Sequence, residues 1–308
     1  MNVEEDATMP RKEIIDALSK YTDPFRVTKG DGFRLADFDP GDTLGLKMDK
    51  KEAAELLQSG SEWLAMEQEV LYAQDSWSLL LVFQAMDAAG KDGTIKHVMS
   101  RVNPQGCDVV SFKQPSEEEI SHDFLWRYSM KVPQRGRIGI FNRSYYEEAL
   151  VVRVHRHLLE AQKIPSQLVG ENVWSDRLAD IARFEDYLTR QGVVILKFYL
   201  NLSYEEQKKR FLERLDRPEK NWKFSASDVR ERRHWNDYMR VYDEAIRATA
   251  SKAAPWFVVP ADNKWFTRLV VAAVIVEALE KLDLKYPKTS PEQMKDLAAA
   301  RKELIAEE

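Results

Sequence analysis

Short runs of apolar residues, bounded by polar ones, recur along the chain, and each is typical of a buried β-strand. The clearest run is Ser-Leu-Leu-Leu-Val-Phe-Gln at residues 78–84. It is continuous enough to be buried on both faces, as the strands of a parallel sheet are. Four similar runs lie at residues 107–113, 137–141, 193–202 and 256–260. The apolar pattern therefore predicts five strands.

Helical spacing of apolar residues occupies the stretches between these runs. An amphipathic helix is predicted at residues 50–74, and further helices at residues 94–101, 117–130, 176–191, 204–215, 226–252, 264–282 and 290–308. Strands that alternate with helices indicate βαβ units, whose crossovers are right-handed and whose sheets are mostly parallel. We therefore predict an α/β fold, a three-layer α/β/α sandwich around a five-stranded parallel sheet.

One domain with an addition at each end is the predicted organisation. Residues 46–285 contain all five predicted strands and no low-complexity linker, so we assign them to one domain. Residues 1–45 mix charged residues with Gly and Pro, and they predict a tail followed by an irregular segment docked on that domain. Residues 286–308 predict a charged C-terminal helix with little apolar surface.

Composition narrows the possible classes of function. Of 308 residues, 44% are apolar and 31% are charged, which is the balance of a soluble globular protein. The net charge of −5 argues against a nucleic-acid partner, because such proteins usually carry a basic excess. Cys107 is the only cysteine, which excludes an internal disulfide and a zinc site of paired thiolates.

The chain carries no pattern of export or of membrane insertion. Its first residues are acidic and polar, unlike a signal peptide. The longest apolar run, around residues 270–276, is too short to span a bilayer. We therefore expect a cytoplasmic protein without a membrane partner.

Residues 79–94, Leu-Leu-Leu-Val-Phe-Gln-Ala-Met-Asp-Ala-Ala-Gly-Lys-Asp-Gly-Thr, run from the first strand through a loop of small residues into a helix. Such a turn directs backbone N–H groups and the positive end of a helix dipole at one point, which suits a phosphate. Lys91 adds a positive charge beside it. The residues that would contact phosphate are Ala88, Ala89, Gly90, Lys91, Asp92, Gly93 and Thr94.

We name residues 84–94 the phosphate loop. It departs from the Walker A pattern at two positions. Ala85 replaces the first glycine, and Asp92 stands where Ser or Thr would bind magnesium. An ordinary strand-to-helix turn that contains Gly-Lys is the alternative interpretation. Asp87 argues against it, because a carboxylate in a phosphate loop is unfavourable unless a metal ion or a reacting group needs it. Asp87 could hold Mg²⁺, or Mn²⁺, against the phosphate oxygens.

A second group of polar residues follows the strand at residues 137–141, at the edge where open α/β sheets bind ligands. Asn142 occupies the position at which an Asp normally supports the metal. Arg143 could stabilise the charge that develops on a transferring phosphoryl group. Glu147 or Glu148 could supply the carboxylate that Asn142 lacks. Alternatively, Asn142 caps the following helix.

A basic segment at residues 205–233 contains ten Lys or Arg and seven Asp or Glu. Arg210, Arg214 and Arg217 are spaced so that a helix would place them on one face, where their planar groups could bind phosphate. Lys223 follows after Pro218 ends that helix. The alternative is a solvated helical hairpin held by salt bridges. We name residues 205–233 the lid segment.

Several strings occur in the order that one family shows: A-M-D-A-A-G-K-D-G-T, N-P-Q-G-C-D-V-V-S-F-K, H-D-F-L-W-R, F-N-R-S-Y-Y-E-E-A-L-V-V-R-V-H and W-F-V-V-P-A-D-N-K-W-F-T-R. They resemble the polyphosphate kinase type 2 family, and the fourth string resembles the subgroup often called class III. The resemblance runs from about Phe33 to Leu282. It implies a P-loop kinase fold, related to thymidylate kinase, with a helical lid over the active site.

The resemblance also implies an activity: reversible, Mg²⁺-dependent phosphoryl transfer between inorganic polyphosphate and adenine or guanine nucleotides, with both AMP and ADP as acceptors. It implies a homo-oligomer, a dimer or a tetramer. An ATP-dependent nucleoside or nucleotide kinase of the same fold remains an alternative, as does a non-catalytic protein that binds nucleotides or polyanions.

Site residues follow from the same motifs. Those expected to be catalytic are Asp87, Lys91 and Arg143. Those expected to bind polyphosphate, besides the phosphate loop, are Arg210, Arg214 and Lys223. Those expected to bind nucleotide are Lys113, Arg127, Asn142 and Glu147, although a salt bridge is an equal alternative for Arg127. Those expected to support the metal are Asp87, Asn142 and Glu147.

Overall fold

The computed structural model describes residues 11–48 and 50–307. Its single sheet contains the strands β1 Arg26–Val27, β2 Ser78–Ala85, β3 Cys107–Ser111, β4 Ile138–Asn142, β5 Val193–Asn201 and β6 Trp256–Pro260. Their order is β1-β6-β5-β2-β4-β3. The neighbouring pairs from β6 to β3 are parallel, whereas β1 pairs with β6 antiparallel.

All five predicted strands are therefore confirmed. The sheet also contains a sixth strand, so the predicted count of five is wrong. The strand that the sequence did not predict is β1, which contains two residues at the sheet edge. A run that short cannot show an alternating pattern of apolar and polar residues, which needs about four residues or more.

Helices cover both faces of this sheet. They are α1 Arg11–Thr22, α2 Lys50–Gln74, α3 Lys91–Val98, α4 Glu117–Ile120, α5 Trp126–Ser129, α6 Val151–Val154, α7 His157–Glu160, α8 Val173–Arg190, α9 Tyr204–Asp216, α10 Ala226–Glu231, α11 Trp235–Thr249, α12 Lys264–Lys281 and α13 Pro291–Ala306. Two predicted helices are divided: residues 117–130 form α4 and α5, and residues 226–252 form α10 and α11 with a 3₁₀ turn between them.

Strand β2 lies at the centre of the sheet, and all its residues are buried, as its apolar sequence predicted. Its side chains alternate between two cores because successive residues of a strand point to opposite faces. Leu79, Leu81 and Phe83 belong to the core beneath α2, α3 and α12. Leu80 and Val82 belong to the core beneath α8 and α11. The predicted three-layer α/β/α sandwich is confirmed.

The segment before α2 is more regular than its sequence suggested. Residues 11–22 form α1, which packs on α12, where a tail and irregular structure had been expected. Two bonds to the buried carboxylate of Glu277 hold the end of this helix: Thr22 Oγ1 donates at 2.5 Å and Arg26 Nη2 at 2.6 Å. Residues 1–10 of the expected tail lie outside the described part of the chain.

At the other end of the chain, α13 forms where a charged helix was predicted, and none of its described side chains is buried. The division into residues 1–45, 46–285 and 286–308 stays a prediction. Within residues 11–48 and 50–307, no helix has the length and apolar character required to cross a membrane.

Candidate active site

The phosphate loop joins the end of β2 to the start of α3. Ala88 and Gly90 have φ angles of 64° and 103°, so the chain turns sharply there before the helix begins at Lys91. Gly90 tolerates that angle because it lacks a Cβ, whereas Ala88 must be held by its surroundings. Lys91 Nζ donates to the carbonyl oxygen of Ala85 at 2.8 Å, across the base of the loop.

Arg210 of α9 holds this loop from outside. Its Nη1 donates to the carbonyl oxygens of Ala88 at 3.1 Å and Ala89 at 2.9 Å. Its Nη2 donates to the carbonyls of Ala261 and Asp262, at the end of β6. Its Nε donates to Glu206. Each of the five N–H bonds of a guanidinium therefore has an acceptor.

The role of Arg210 in binding polyphosphate stays a prediction. In this structure only 5% of its side chain is exposed, and its donors are directed at backbone carbonyls and Glu206. The expected helical face of three arginines is incomplete, because Arg217 lies beyond the end of α9. The exposed fraction of the Arg214 side chain is 25%. The contacts of Arg210 position the phosphate loop.

Asp87 and Arg143 meet where β2 and β4 end. The two strands are parallel neighbours with Phe83 opposite Asn142, so the loops that follow them lie side by side. Arg143 Nη2 is 3.5 Å from Asp87 Oδ1. The backbone of Arg143 is in the left-handed region, with φ 65°, and its N–H donates to the carbonyl of Phe83. That bond fixes the strained residue against β2.

Glu147 completes a group of charges around the loop. Gln84 orients it: when the Gln84 amide oxygen accepts from Ser144, its nitrogen donates to Glu147 Oε1 at 3.0 Å. Burial raises the pKa of Glu147, and Arg143 and Lys91 oppose that shift. The carboxylate therefore lies in a partly desolvated site between two cations.

The pKa values of Lys91 and Arg143 are shifted in opposite directions. Burial lowers the pKa of Lys91, although the carboxylates of Asp87, Glu147 and Asp92 act against it. Burial also acts to lower the pKa of Arg143, but Glu147 and Asp87 outweigh it and the pKa is raised. A bound phosphate would favour the charged form of Lys91, because an anion nearby stabilises an ammonium group.

Asn142 links the two loops. Its Nδ2 donates to Asp92 Oδ1 at 2.7 Å. The alternative that Asn142 caps the following helix is wrong, because the cap is Ser144, whose hydroxyl accepts from the N–H of Tyr146. Asp92 thus meets the amide of Asn142 at a position where a Walker A loop has a hydroxyl.

Glu148 does not share the site with Glu147. It is buried and accepts from Gln162 at 2.8 Å and from Arg177 at 3.4 Å. Of the two carboxylates that the sequence left open, Glu147 is therefore the one that faces Lys91 and Arg143.

Arg127 and Lys113 lie apart from this group. Arg127 is buried in a second cavity, where it donates to the carbonyl of Lys113 and pairs with Glu119 at 3.3 Å. The salt bridge that was the alternative for Arg127 is therefore present. Lys113 itself is exposed beyond the end of β3. Their role in binding nucleotide stays a prediction.

A small cavity of roughly 180 Å³ opens beside Asp87. Its lining combines charged and aromatic side chains, among them Asp87, Arg143, Glu147, His155, Glu231 and Tyr242. A pocket with convergent charged groups next to a phosphate loop is suited to bind the acceptor of a phosphoryl group.

The lid segment closes one side of this cavity. Glu231 of α10 accepts from Tyr238 at 2.9 Å and lies 2.9 Å from His155 Nε2. Asp228 lies near Arg214, at 3.8 Å, and its pKa is raised by burial and by the negative charge of Asp87. Lid residues and phosphate-loop residues are therefore close enough to interact. The side chain of Lys223 lies outside the described residues.

Several residues around the site were not predicted. Gln207 Nε2 donates to the carbonyl oxygen of Asp87 at 2.8 Å and holds the loop there. Arg232 in turn donates to Gln207 at 2.6 Å. His155, to which the sequence assigned no role, contacts Glu231. Only the charge excess of the lid segment could have indicated any of these contacts.

The donor set fits a hard divalent cation. In the part of the chain that the structure describes, no three His, Cys, Asp or Glu side chains are grouped as a metal site. Mg²⁺, however, is usually held by one or two carboxylates together with substrate phosphates and water. Asp87 and Asp92 place two carboxylates on the phosphate loop, and Asp87 is 35% exposed.

Comparisons with known proteins agree with this geometry. A family model described as Polyphosphate kinase 2 (PPK2) matches residues 47–287. An ADP-polyphosphate phosphotransferase of Rhodopseudomonas palustris is 48% identical over 285 residues, which cover 92% of this chain and 98% of that protein. An AMP/ADP-polyphosphate phosphotransferase of Meiothermus ruber is 44% identical, over 85% of this chain and 94% of that protein.

A solved structure supports the same assignment. The crystal structure of Polyphosphate Kinase 2 from Arthrobacter aurescens TC1 superposes with a TM-score of 0.82 and 41% sequence identity, covering 92% of this chain and 96% of that chain. The family match spans the phosphate loop, both strand ends and the lid segment. The chain belongs to the polyphosphate kinase 2 (PPK2) family.

Proposed function

We propose that this protein transfers phosphoryl groups between inorganic polyphosphate and nucleotides, with AMP and ADP as acceptors, in a reversible and Mg²⁺-dependent reaction. The observation that carries the proposal is the meeting of Asp87 and Arg143 at 3.5 Å beside Lys91 and Glu147. The names of the two relatives, an ADP-polyphosphate and an AMP/ADP-polyphosphate phosphotransferase, support the choice of substrates.

Phosphoryl transfer requires alignment and charge neutralisation more than covalent chemistry. The phosphate loop and Lys91 would bind the donor phosphates, since backbone N–H groups and an ammonium both favour anions. Arg143 would stabilise the negative charge that develops on the transferred group. Gln207 and Arg210 would keep the loop in place while this happens.

The metal would be held by Asp87 together with substrate phosphates, and Mg²⁺ supplies charge neutralisation when it is bound. Glu147, held by Gln84, would keep Lys91 and Arg143 in position. The support of Asn142 for the metal would be indirect, through Asp92. We assign Arg214 and Lys223 to the polyphosphate side, and Lys113 and Arg127 to the nucleotide side.

One experiment tests the proposal. The purified protein is incubated with polyphosphate, Mg²⁺ and either AMP or ADP, and the products are separated by chromatography. We expect ADP and ATP from AMP, and ATP from ADP. Product formed from ATP but not from polyphosphate would favour an ATP-dependent kinase instead. Binding without any turnover would favour a non-catalytic role.

Two further arms test the finer statements. Chelation with EDTA should abolish transfer, and Mg²⁺ in excess should restore it. Incubation of ATP with polyphosphate should lengthen the polyphosphate if transfer is reversible. Size-exclusion chromatography with light scattering tests the proposed dimer or tetramer.

A further inference from the structure

Helix α10 of the lid segment, which the structure describes in full, has no buried side chain. Its only apolar side chain larger than alanine, Val229, is 47% exposed. Asp228 and Glu231, one turn apart, are its two least exposed side chains. Most helices in proteins are stabilised by packing of an apolar face. Because α10 has no such face, its position depends on the polar contacts of these two carboxylates.

The two carboxylates reach different parts of the molecule. Asp228 lies 3.8 Å from Arg214 of α9, which belongs to the lid segment itself. Glu231 Oε2 accepts from the Tyr238 hydroxyl at 2.9 Å and lies 2.9 Å from His155 Nε2. His155 and Tyr238 are both outside the lid segment. Of these contacts, therefore, only those of Glu231 join α10 to the rest of the protein.

Both partners of Glu231 supply the proton that a hydrogen bond needs. An ionised carboxylate only accepts, so Nε2 of His155 carries a proton. Tyr238 keeps its proton because burial and the Glu231 carboxylate raise the pKa of its hydroxyl. Hydrogen bonds to a charged acceptor are stronger than bonds between neutral groups. Two such bonds therefore hold the end of α10 more firmly than the looser pair of Asp228 with Arg214.

His155 is fixed to the segment that follows Arg143. Its N–H donates to the carbonyl of Val151 in α6 at 2.9 Å. The N–H of Leu150 donates to the carbonyl of Tyr146, which lies three residues after Arg143, also at 2.9 Å. Through this histidine, the lid segment is therefore bonded to the same stretch of backbone that carries Arg143.

We propose that the Glu231 carboxylate, with its bonds to His155 and Tyr238, is a latch that holds α10 against the cavity beside Asp87. Glu231 is the lid residue in the wall of that cavity. With the latch closed, α10 keeps water away from the transferred phosphoryl group; with it open, water competes with the nucleotide. Glu231 and His155 are positioning residues, because they act through the lid segment. The inference rests on the proposed function.

Four variants separate the latch from the shape of its side chains. His155→Phe keeps a ring but removes the donor, whereas His155→Gln keeps an N–H donor close to the position of Nε2. Glu231→Leu removes the acceptor from a side chain that is 31% exposed, so folding should not suffer. The matched control is Arg153→Gln, which breaks the ion pair between α6 and Glu244 of α11, outside the lid segment.

The first measurement is hydrogen exchange of the backbone amides of residues 226–231, without substrates. We expect exchange about tenfold faster in His155→Phe and Glu231→Leu, the effect of losing a hydrogen bond to a charged group. His155→Gln and Arg153→Gln should exchange as wild type does. Wild-type exchange in both of the first two variants would overturn the latch.

The second measurement compares two products of long-chain polyphosphate, ADP and Mg²⁺. Transfer to ADP breaks the terminal P–O–P bridge of the chain and forms ATP. Transfer to water breaks the same bridge, forms a P–O bond to the water oxygen and releases orthophosphate and a proton. We expect the ratio of orthophosphate to ATP to rise about tenfold in His155→Phe and Glu231→Leu, because the open population rises by that factor.

The ratio separates positioning from stability. A smaller amount of folded protein lowers both products together and leaves their ratio unchanged, and Arg153→Gln should keep the wild-type ratio. An unchanged ratio in His155→Phe and Glu231→Leu would overturn the exclusion of water by the latch. If the wild type forms no ATP from polyphosphate, the proposed function itself is contradicted, and hydrogen exchange then decides the latch alone.

Discussion

Arg210 donates from Nη1 to the carbonyl oxygen of Ala89 at 2.9 Å, so the first helix of the lid segment is bonded directly to the phosphate loop. The same guanidinium bonds to the end of β6 through Ala261 and Asp262. A single side chain therefore joins three parts of the site. Any movement of α9 would be transmitted to the phosphate loop.

The first prediction concerns the bonds between Arg210 and the phosphate loop. Arg210→Lys keeps the charge but offers three N–H donors in place of five, so at least two acceptors lose their partner. We expect a loss of stability of about 2–4 kcal/mol and a decrease in kcat of about a hundredfold, because the loop is no longer held. Urea unfolding and steady-state kinetics measure the two effects. The control is Arg183→Lys, at an exposed arginine on α8, and equal behaviour of the two variants would contradict the role of Arg210.

The second prediction concerns Asp87 and Lys91, two of the three charged residues of the phosphate loop. Asp87→Asn and Lys91→Ala should each abolish transfer, to roughly a thousandth of wild type or less, because each removes a charge that the phosphates or the metal need. The fold should be intact, which circular dichroism checks. The control is Asp180→Asn, an exposed carboxylate on α8. Near-normal ATP formation from ADP and polyphosphate in either loop variant would refute the mechanism.

The sequence predicted the parts of the site that depend on topology. Strand β2 was located within one residue because its eight residues are all buried and mostly apolar. Since parallel strands end at the same edge, Asp87, Lys91 and Arg143 were expected together, and the structure places them there. These relationships follow from the order of the elements and need no knowledge of side-chain packing.

The parts that depend on helix orientation could not be predicted in the same way. The spacing of Arg210 and Arg214 shows that they share a helix face, but not whether that face meets solvent or the phosphate loop. The bond between His155 and Glu231 joins residues 76 positions apart and follows no local pattern. Contacts of this kind arise only when helices pack, so only the structure reveals them.

A third prediction separates two neighbouring carboxylates. The raised pKa of Glu147 means that its ionised form is less stable in the folded protein than in the unfolded chain. The free energy of unfolding therefore decreases as the pH rises through that pKa, and Glu147→Gln removes this effect. We expect the variant to melt about 2 °C higher at neutral pH, with a kcat lowered about a hundredfold.

Glu148→Gln is the matched variant. We expect it to melt at a lower temperature than wild type and to keep its kcat. It leaves Arg177 buried without its counter-charge, which costs about 3 kcal/mol, while the groups around Asp87 are untouched. Thermal melting and kcat of both variants, measured side by side, test the distinction. If Glu147→Gln melts lower than wild type, the assignment of its pKa shift is wrong.

The fourth prediction concerns acid stability at the N-terminal helix. Burial acts to raise the pKa of Glu277, but the hydrogen bonds from Lys281, Thr22 and Arg26 outweigh it, and the pKa is lowered. A carboxylate with a lowered pKa stabilises the folded state above its ordinary pKa, and this stability is lost as the pH falls through the lowered value. Docking of α1 should therefore weaken in acid.

Hydrogen exchange at residues 11–22, measured over a series of pH values, tests this expectation. After correction for the intrinsic pH dependence of exchange, protection should be full near neutral pH and decrease below the ordinary range of a glutamate. Glu277→Gln should already be less protected at neutral pH and should respond less to acid. A wild-type protection factor that is independent of pH would argue against Glu277 as the group responsible.

The final prediction links a buried ion pair to the site. Lys197 on β5 donates to Glu185 at 2.5 Å, and both side chains are almost fully buried. Glu185 also accepts from the hydroxyls of Tyr145 and Tyr146, each at 2.9 Å. These tyrosines follow Arg143 by two and three residues, so the ion pair anchors the loop that holds Arg143 in its left-handed conformation.

Lys197→Met leaves the Glu185 carboxylate buried without a cation, which should cost about 3–5 kcal/mol. The double variant Lys197→Met with Glu185→Leu should recover much of that stability, because no unpaired charge remains. It still lacks the Glu185 acceptor, which leaves the Tyr145 hydroxyl without a partner and the Tyr146 hydroxyl with Thr249 alone, so we expect its kcat to stay below wild type. Urea unfolding and kcat of the two variants separate the contributions. A stable double variant with wild-type kcat would show that the pair supports the core alone and does not position Arg143.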